Sequence, residues 1–293
     1  MKVIRANTAG FCMGVSLALE RLDDALAGGG QPIASFGPII HNPQVLAEYE
    51  RKGVRRLKEV EEAGRGESVI IRAHGVPKTE EAALRARGAR IVDATCPRVK
   101  AAQLAIARAT RQGGRLLLFG EADHPEVRGL LSYAHAESHV FASLDECGAL
   151  PLETPGRYVL AAQTTQDIRQ FAAVQAYLER RLGGGVSVLH TICDATEKRQ
   201  NEALEIAVRV DCMVVVGGRE SGNTRRLAEL VAATGIPAWH VESEKELEAA
   251  FFRKKFFVGL TAGASTPKSL IDAVELFLET LPTDGMQLSS APE

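Results

Sequence analysis

Residues 212–233 read CMVVVGGRESGNTRRLAELVAA, and this stretch shows the pattern on which the fold prediction rests. Its start, Cys212–Val216, is a short apolar run typical of a buried strand, and its end, Thr224–Ala233, repeats apolar residues at helical spacing. The same strand-then-helix pattern recurs along the chain, which predicts parallel sheets in an α/β fold. The other strand candidates are Lys2–Arg5, Pro32–Phe36, Ser68–Arg72, Arg90–Val92, Arg115–Phe119, Arg157–Ala161, Val186–Leu189, Ala238–His240 and Phe256–Leu260. The other helix candidates are Val15–Ala27, Pro97–Gln112, Gln166–Leu182, Ala195–Val208 and Pro267–Leu281.

Three cysteines divide the chain into similar parts. Cys12, Cys96 and Cys193 each lie just before a predicted helix, 84 and 97 residues apart, and each opens a run of strand–helix steps. This spacing predicts three small, pseudo-repeated α/β modules. We expect them over residues 1–96 (with the N-terminal strand and Cys12), 97–193 and 194–281, with a flexible tail at 282–293.

Composition and charge argue against several functional classes. The 293 residues carry a formal net charge of −2, and their Lys and Arg residues are dispersed, whereas nucleic-acid or membrane-surface binding usually needs a basic patch. No apolar run reaches the ~18 residues of a membrane span. The N-terminus turns polar too early for a signal peptide. We therefore expect a cytoplasmic protein whose thiols stay reduced.

The five cysteines are too few and too scattered for a disulfide framework, so they are either packed thiols or metal ligands. Cys147 falls in the segment Asp145–Gly148 and Cys212 opens a predicted strand, and for both a packed thiol is the favoured interpretation. Cys12, Cys96 and Cys193 lie in strand-to-helix loops, where thiolates can bind zinc or an iron–sulfur cluster. Three thiolates on a four-iron cluster would leave one iron open to substrate, as the open position of a catalytic zinc site does.

Polar loops at predicted strand ends are candidate anion sites. Ser221–Thr224 and Ser265–Thr266 place hydroxyl and amide groups at predicted helix N-termini, which suits a phosphate. Plain helix capping is the favoured explanation of one such loop alone, whereas two such loops together with several loop histidines favour an anion site. No P-loop or dinucleotide fingerprint is present. His41, His74 and His124 lie in loops before helices and can donate to phosphate oxygens.

Glu126 is the candidate acid. It lies two residues after His124, at the start of a predicted helix. It is either a solvated acid favoured by the helix dipole or, in a closed cleft beside a diphosphate, a proton donor with a raised pKa.

Taken together, these motifs resemble the 4-hydroxy-3-methylbut-2-enyl diphosphate reductase family, over Met1 to about Leu281. The carrying segments are Ala9–Val15, Ile40–Pro43, Arg72–Val76, Asp93–Pro97, His124–Val127, Gln163–Thr165, Ile192–Thr196, Ser221–Thr224 and Thr261–Ser265. The resemblance implies three α/β modules arranged as a trefoil around a central 4Fe–4S cluster with one open iron. It also implies a site residue by residue. Cys12, Cys96 and Cys193 match the cluster ligands, His41, His74, His124, Ser221, Asn223 and Ser265 match the diphosphate contacts, and Glu126, Thr165 and His124 match the catalytic group.

The implied reaction is a reductive dehydroxylation that yields isopentenyl and dimethylallyl diphosphate, with electrons from a ferredoxin or flavodoxin. One departure is Gly222, where many members carry Ser, so any contact there must come from its backbone. Two alternatives stay open. One is another three-cysteine cluster enzyme, a dehydratase or quinolinate-synthase-like lyase, although a dicarboxylic acid substrate would call for arginine forks. The other is a non-enzymatic cluster-based sensor.

Overall fold

The computed structural model describes residues 1–29 and 31–282, which form three four-stranded sheets, all of them parallel. This architecture confirms the predicted α/β class and its three modules. The predicted tail lies outside the described residues, except for Pro282. The chain forms two compact units, residues 13–197 and a second unit in which Met1–Cys12 joins the segment that starts at Lys198.

The unit of residues 13–197 contains two sheets. Sheet 1 has the strand order β3-β2-β4-β5 and sheet 2 the order β7-β6-β8-β9. The strands of sheet 1 are β2 (Ile33–Phe36), β3 (Arg55–Leu57), β4 (Ser68–Ile71) and β5 (Arg90–Asp93). The strands of sheet 2 are β6 (Arg115–Phe119), β7 (Ser138–Phe141), β8 (Tyr158–Ala162) and β9 (Val186–Val188).

Seven helices connect these strands or lead out of them. They are α1 (Met13–Ala27), α2 (Pro43–Arg51), α3 (Lys78–Ala86), α4 (Pro97–Arg111), α5 (Pro125–Leu131), α6 (Leu144–Ala149) and α7 (Ile168–Leu182). Proline opens α2, α4 and α5, because its fixed φ suits the first helical position and its missing N–H costs nothing there. These three prolines therefore set where the loops that carry His41, Cys96 and His124 end and the helices begin.

The other unit contains sheet 3, with the strand order β1-β12-β10-β11. Its strands are β1 (Lys2–Arg5), β10 (Cys212–Val216), β11 (Ala238–Val241) and β12 (Phe257–Ala262), and α9 (Gly222–Ala232) and α10 (Lys268–Thr280) pack on it. Helix α8 (Asp194–Ala207) runs from one unit into the other. Alternate residues of β10 face two cores, Val214 with Leu260 and Ile271, and Val215 with Leu227.

The position of β1 corrects one prediction. Sequence order assigns the N-terminal strand and Cys12 to the first module, but Lys2–Arg5 pairs in register with Phe257–Leu260 of β12. The first strand therefore completes sheet 3, which would otherwise lack the edge strand that β5 and β9 provide in the other two sheets. The module boundaries themselves stay a prediction. Among the described helices, none has the length and hydrophobicity that a membrane span requires.

Candidate functional site

The three sheets place the predicted site residues at equivalent strand ends. In each sheet the edge strand β5, β9 or β1 leads to a cysteine, and the two central strands lead to polar loops. Ligands of parallel sheets bind at these carboxyl ends. The cysteines are Cys96, Cys193 and Cys12; the first central strands lead to His74, Thr165 and Ser265, and the second to His41, His124 and the pair Ser221 and Asn223.

Each of the three cysteines is held by its backbone to a neighbouring loop. Its N–H donates to a carbonyl in the loop after the adjacent central strand, so the same connection occurs once per sheet. The pairs are Cys96 to Ala73 at 2.9 Å, Cys193 to Thr164 at 2.9 Å and Cys12 to Ala264 at 3.1 Å. Each side chain therefore starts from a fixed backbone position beside a predicted substrate loop.

The five thiols fall into two classes. Cys147 and Cys212 are completely buried, and this burial raises the pKa of each to about 11, so both stay protonated at neutral pH. Cys12, Cys96 and Cys193 are half-buried, and each directly precedes the first residue of α1, α4 or α8. The three predicted ligands therefore have partly accessible thiols, whereas the other two cysteines are packed in cores.

A buried arginine and a carboxylate of α8 fasten the loop before Cys12. Arg199, which is 3% exposed, donates through Nη2 to the carbonyl oxygens of Thr8 and Gly10. Glu202 accepts the N–H groups of Asn7 and Thr8, both at 2.8 Å. Burial alone would raise the pKa of Glu202, but these hydrogen bonds outweigh it and lower the pKa. This pair binds the loop backbone and fits no ligand motif, so no pattern in the sequence predicts it.

Three histidines meet in the unit of residues 13–197. The ring centroid of His41 lies 4.9 Å from that of His74 and 6.0 Å from that of His124, and His74 and His124 are 5.4 Å apart. One nitrogen of each ring lies within 4.8 Å of the other two, which suits a shared anion or a metal ion. Burial lowers the pKa of His74 well below 6.5, and His41, His124 and Arg72 lower it further. In the described part of the chain, Nδ1 of His74 is buried without a hydrogen-bond partner.

His124 also begins helix α5. Its Nδ1 accepts the backbone N–H of Glu126 at 3.1 Å, as an N-cap side chain does. Because Nδ1 is the acceptor, the neutral ring carries its hydrogen on Nε2. His124 can therefore donate from Nε2 while its other nitrogen holds the helix start.

Glu126, two residues after His124, is a buried acid of this unit. Glu126 is 1% exposed, and its two oxygens accept the backbone N–H of Thr164 at 2.6 Å and the hydroxyl of Thr164 at 3.0 Å. Thr165, which the sequence analysis chose, accepts a hydrogen bond from Nε2 of Gln163 at 3.3 Å. The sequence reasoning missed Thr164, because neighbouring threonines in one loop give no signal as to which side chain faces the acid.

The loops of sheet 3 bring Ser221, Asn223 and Ser265 together in the other unit. Ser221 caps α9 through Thr224, and its hydroxyl lies 3.5 Å from that of Ser265; both serines are buried. Within the described residues, Nδ2 of Asn223 is buried without a partner. Gly222 is the first residue of α9, so it offers only its backbone. The unpartnered amide of Asn223 suits an anion, because burying a polar group without a partner is costly. The hydroxyls of Ser221 and Ser265, which lie together, can add donors for the same anion.

Tight loop packing fixes this serine cluster. A Cβ on Gly263 would lie 1.9 Å from Oγ1 of Thr224, and one on Gly217, whose φ is +149°, would lie 2.6 Å from Oγ1 of Thr266. Only glycine fits at both positions. The loops after β10 and β12 therefore interlock.

Comparison with known proteins places this arrangement in a family. Residues 3–279 match the family model described as LytB protein. Curated proteins named 4-hydroxy-3-methylbut-2-enyl diphosphate reductase are similar over their whole length. One from Nitratidesulfovibrio vulgaris (strain Miyazaki F) is 61% identical and covers 96% of this chain and 100% of its own; one from Desulfovibrio desulfuricans is 58% identical with the same coverage.

Two solved structures are also similar. One is titled as the (E)-4-hydroxy-3-methyl-but-2-enyl diphosphate reductase, the terminal enzyme of the non-mevalonate pathway; it is 39% identical with a TM-score of 0.68 and covers 95% of this chain and 99% of its own. The other is the E-1-hydroxy-2-methyl-but-2-enyl-4-diphosphate reductase from Plasmodium falciparum, with a TM-score of 0.91, 24% identity, and 96% and 89% coverage. At that identity the second likeness supports the fold alone.

Proposed function

This chain belongs to the LytB protein family, and from that membership we infer that it is an oxidoreductase that reduces 4-hydroxy-3-methylbut-2-enyl diphosphate. The products are isopentenyl and dimethylallyl diphosphate. The observation that supports this function best is the pairing of a buried acid with imidazole donors. Glu126 and His124 are two residues apart at the start of one helix, and His124 lies in the three-histidine cluster.

The proposed cofactor is a 4Fe–4S cluster on Cys12, Cys96 and Cys193, and the donor set described above supports it. When bound, the cluster supplies electrons one at a time and a Lewis-acidic iron. The protein's own part is to hold three thiolates at helix starts and to fix their backbones on the substrate loops. The electrons come from a ferredoxin or flavodoxin. We place the protein in the cytoplasm, since reduced thiolates persist in a reducing compartment.

The diphosphate is proposed to bind to His41, His74 and His124 and to Ser221, Asn223 and Ser265. Nδ1 of His74 and Nδ2 of Asn223 each lack a protein partner in the described chain, and each could be satisfied by an oxygen of the diphosphate. An anion beside the histidines also opposes the burial that lowers the pKa of His74. Binding would therefore draw protons onto this cluster.

Proton delivery is assigned to Glu126. Two electrons and two protons convert the substrate alcohol into water and an alkene-bearing diphosphate. One proton goes to the leaving oxygen as the C–O bond breaks, and the other goes to either end of the resulting allylic system, which accounts for two products. Thr164 holds the carboxylate of Glu126 at 2.6 and 3.0 Å. Thr165, on the same loop, is proposed to lie near the substrate hydroxyl, and His124 completes the catalytic group.

Anaerobic assembly of the wild type and of cysteine variants tests this proposal. Cys12→Ala, Cys96→Ala and Cys193→Ala should each lose bound iron and sulfide, and Cys212→Ala should keep both. The wild type should consume the diphosphate under a strong one-electron reductant. Full iron content in the Cys96→Ala variant would contradict the assignment of Cys96 as a cluster ligand. A wild type with an intact cluster but no turnover would instead favour a sensor.

A further inference from the structure

A cavity in the unit of residues 13–197 contains a buried cation that the proposed reaction does not use. The cavity measures 780 Å³ and lies at the carboxyl ends of β2, β3 and β4. Gly37, Arg72, Thr79 and Arg128 are among its lining residues, and none of the three clustered histidines lines it. It is therefore distinct from the histidine cluster.

Arg72 is the buried cation of this cavity. The residue is 8% exposed, and its guanidinium packs against Gly37 so closely that a Cβ there would lie 2.3 Å from Nη1. Its one hydrogen bond within the described residues runs from Nε to the carbonyl oxygen of Gly75 at 3.5 Å. Nη1 and Nη2 thus donate to no group in that part of the protein. By contrast, the buried Arg199 uses Nη2 on two carbonyl oxygens.

The carboxylates nearby do not neutralise Arg72. Glu80 lines the same cavity but pairs with Arg128 at 2.7 Å. Burial lowers the pKa of Arg72 to about 10, and Glu80 only partly offsets this because Arg128 acts in the opposite direction. Glu59 and Glu61 also line the cavity, and both are exposed. A guanidinium at this pKa remains charged at neutral pH, and buried charges in proteins are normally paired.

We propose that this cavity is a binding site for a small phosphate-bearing anion, with Arg72 as its central ligand. The planar guanidinium offers two parallel N–H donors from Nη1 and Nη2, which match two oxygens of a phosphate group. Thr79 and Lys58 line the same cavity, and their hydroxyl and ammonium groups are donors that, unlike the guanidinium, are not confined to one plane. A tetrahedral oxyanion can use all three, whereas a planar carboxylate uses chiefly the guanidinium fork.

The test follows the side chain of Arg72 itself, and the Ala83→Glu and Ala82→Glu variants described below separate phosphate in this cavity from phosphate at the histidine cluster, which also interacts with Arg72. The full-length protein is labelled with ¹⁵N-arginine, the Nε–H resonance of Arg72 is assigned from the spectrum of Arg72→Lys, and inorganic phosphate is titrated in. We expect a saturable shift in the wild type. Acetate should produce half of its effect only at about a tenfold higher concentration or more, which corresponds to at least ~1.4 kcal/mol.

A matched pair of variants on α3 completes the test. Ala83 lines the cavity, and its neighbour Ala82 is exposed and does not. Ala83→Glu introduces a carboxylate into the cavity and should weaken phosphate binding by about tenfold or more. Ala82→Glu adds the same charge outside and should leave binding unchanged. A non-saturating shift, an equal response to acetate, or equal titrations of Ala83→Glu and the wild type would each overturn the assignment.

Discussion

Replacing Glu126 with glutamine separates proton delivery from structure at the buried acid. The carboxylate accepts two hydrogen bonds from Thr164, one from its N–H at 2.6 Å and one from its hydroxyl at 3.0 Å. Glutamine has the same shape. Its carbonyl oxygen can keep the N–H bond, and its NH₂ can donate to the hydroxyl oxygen, which accepts as readily as it donates. The Glu126→Gln variant should therefore keep both contacts.

The expected change in stability is small. A hydrogen bond to a charged group contributes about 1.5–3 kcal/mol and a neutral one about 0.5–1.5 kcal/mol, so exchanging two bonds costs about 2–3 kcal/mol. Glutamine also removes a buried charge and its desolvation cost, which opposes this loss. We expect the free energy of unfolding to change by less than ~2 kcal/mol in either direction.

The expected change in turnover is much larger. The amide cannot release a proton at neutral pH, and loss of a general acid costs about 10²–10⁴ in rate, or ~2.7–5.5 kcal/mol. The KM for the diphosphate should change little, because the histidine and serine donors remain.

Anaerobic turnover, iron content and urea unfolding, measured on one preparation, check these expectations. Thr164→Ser is the matched control, since it keeps both the N–H and the hydroxyl that bind Glu126. A Glu126→Gln variant that turns over within about tenfold of wild type, below the range for a lost general acid, would remove Glu126 as the proton donor. Loss of iron from that variant would assign Glu126 a structural role instead.

Three further predictions concern the histidine cluster, the Cys12 loop and a packed thiol. The pKa of His74 is lower in the folded chain than its usual 6.5, so below about pH 6.5 the unfolded chain binds a proton that the folded chain does not. As the pH is lowered from 6.5, the free energy of unfolding should therefore decrease by up to ~1.4 kcal/mol per pH unit. His74→Gln should flatten this slope, as measured by urea unfolding. Glu202→Gln replaces an acceptor of the loop before Cys12 with a donor, and should speed loss of iron to a chelator, whereas Glu205→Gln on the exposed side of α8 should not. Cys147→Ala should keep the iron and lose about 1 kcal/mol of unfolding free energy, measured in urea.

Much of the fold could be predicted because buried parallel strands leave a strong signal. All five residues of β10 are completely buried, and they appear in the sequence as an uninterrupted apolar run. The edge strands β3 and β7 were missed for the opposite reason. In β3, Arg55 and Arg56 are exposed, so the strand has no apolar periodicity to detect. The pairing of β1 with β12 could not be predicted, since it joins residues more than 250 positions apart and depends on which sheet lacks an edge.

The candidate site shows the same division. Residue types and loop positions predicted that His41, His74 and His124 could donate to phosphate, and two of them follow neighbouring strands of sheet 1, whose ends lie along one edge. That His124 of sheet 2 joins them is visible only in the structure. The partner of Glu126 could not be predicted, since Thr164 and Thr165 are chemically identical and only the loop conformation decides between them. The sequence predicts Arg72 as the last residue of a strand. Only the structure shows that its guanidinium is buried and has no carboxylate partner among the described residues.

The side chains at the equivalent strand ends of the three sheets differ in whether they titrate near neutral pH. Sheets 1 and 2 provide three imidazoles, and His41 and His124 lower the pKa of His74 in addition to the effect of its burial. A fourth imidazole would lower this pKa further. Sheet 3 provides Ser221, Asn223 and Ser265 instead, and their hydroxyl and amide groups do not titrate in the physiological range. Under the proposed function, the contribution of these donors to the pH dependence of diphosphate binding therefore comes from the histidines of residues 13–197, while the donors of sheet 3 keep the same protonation state throughout the physiological range.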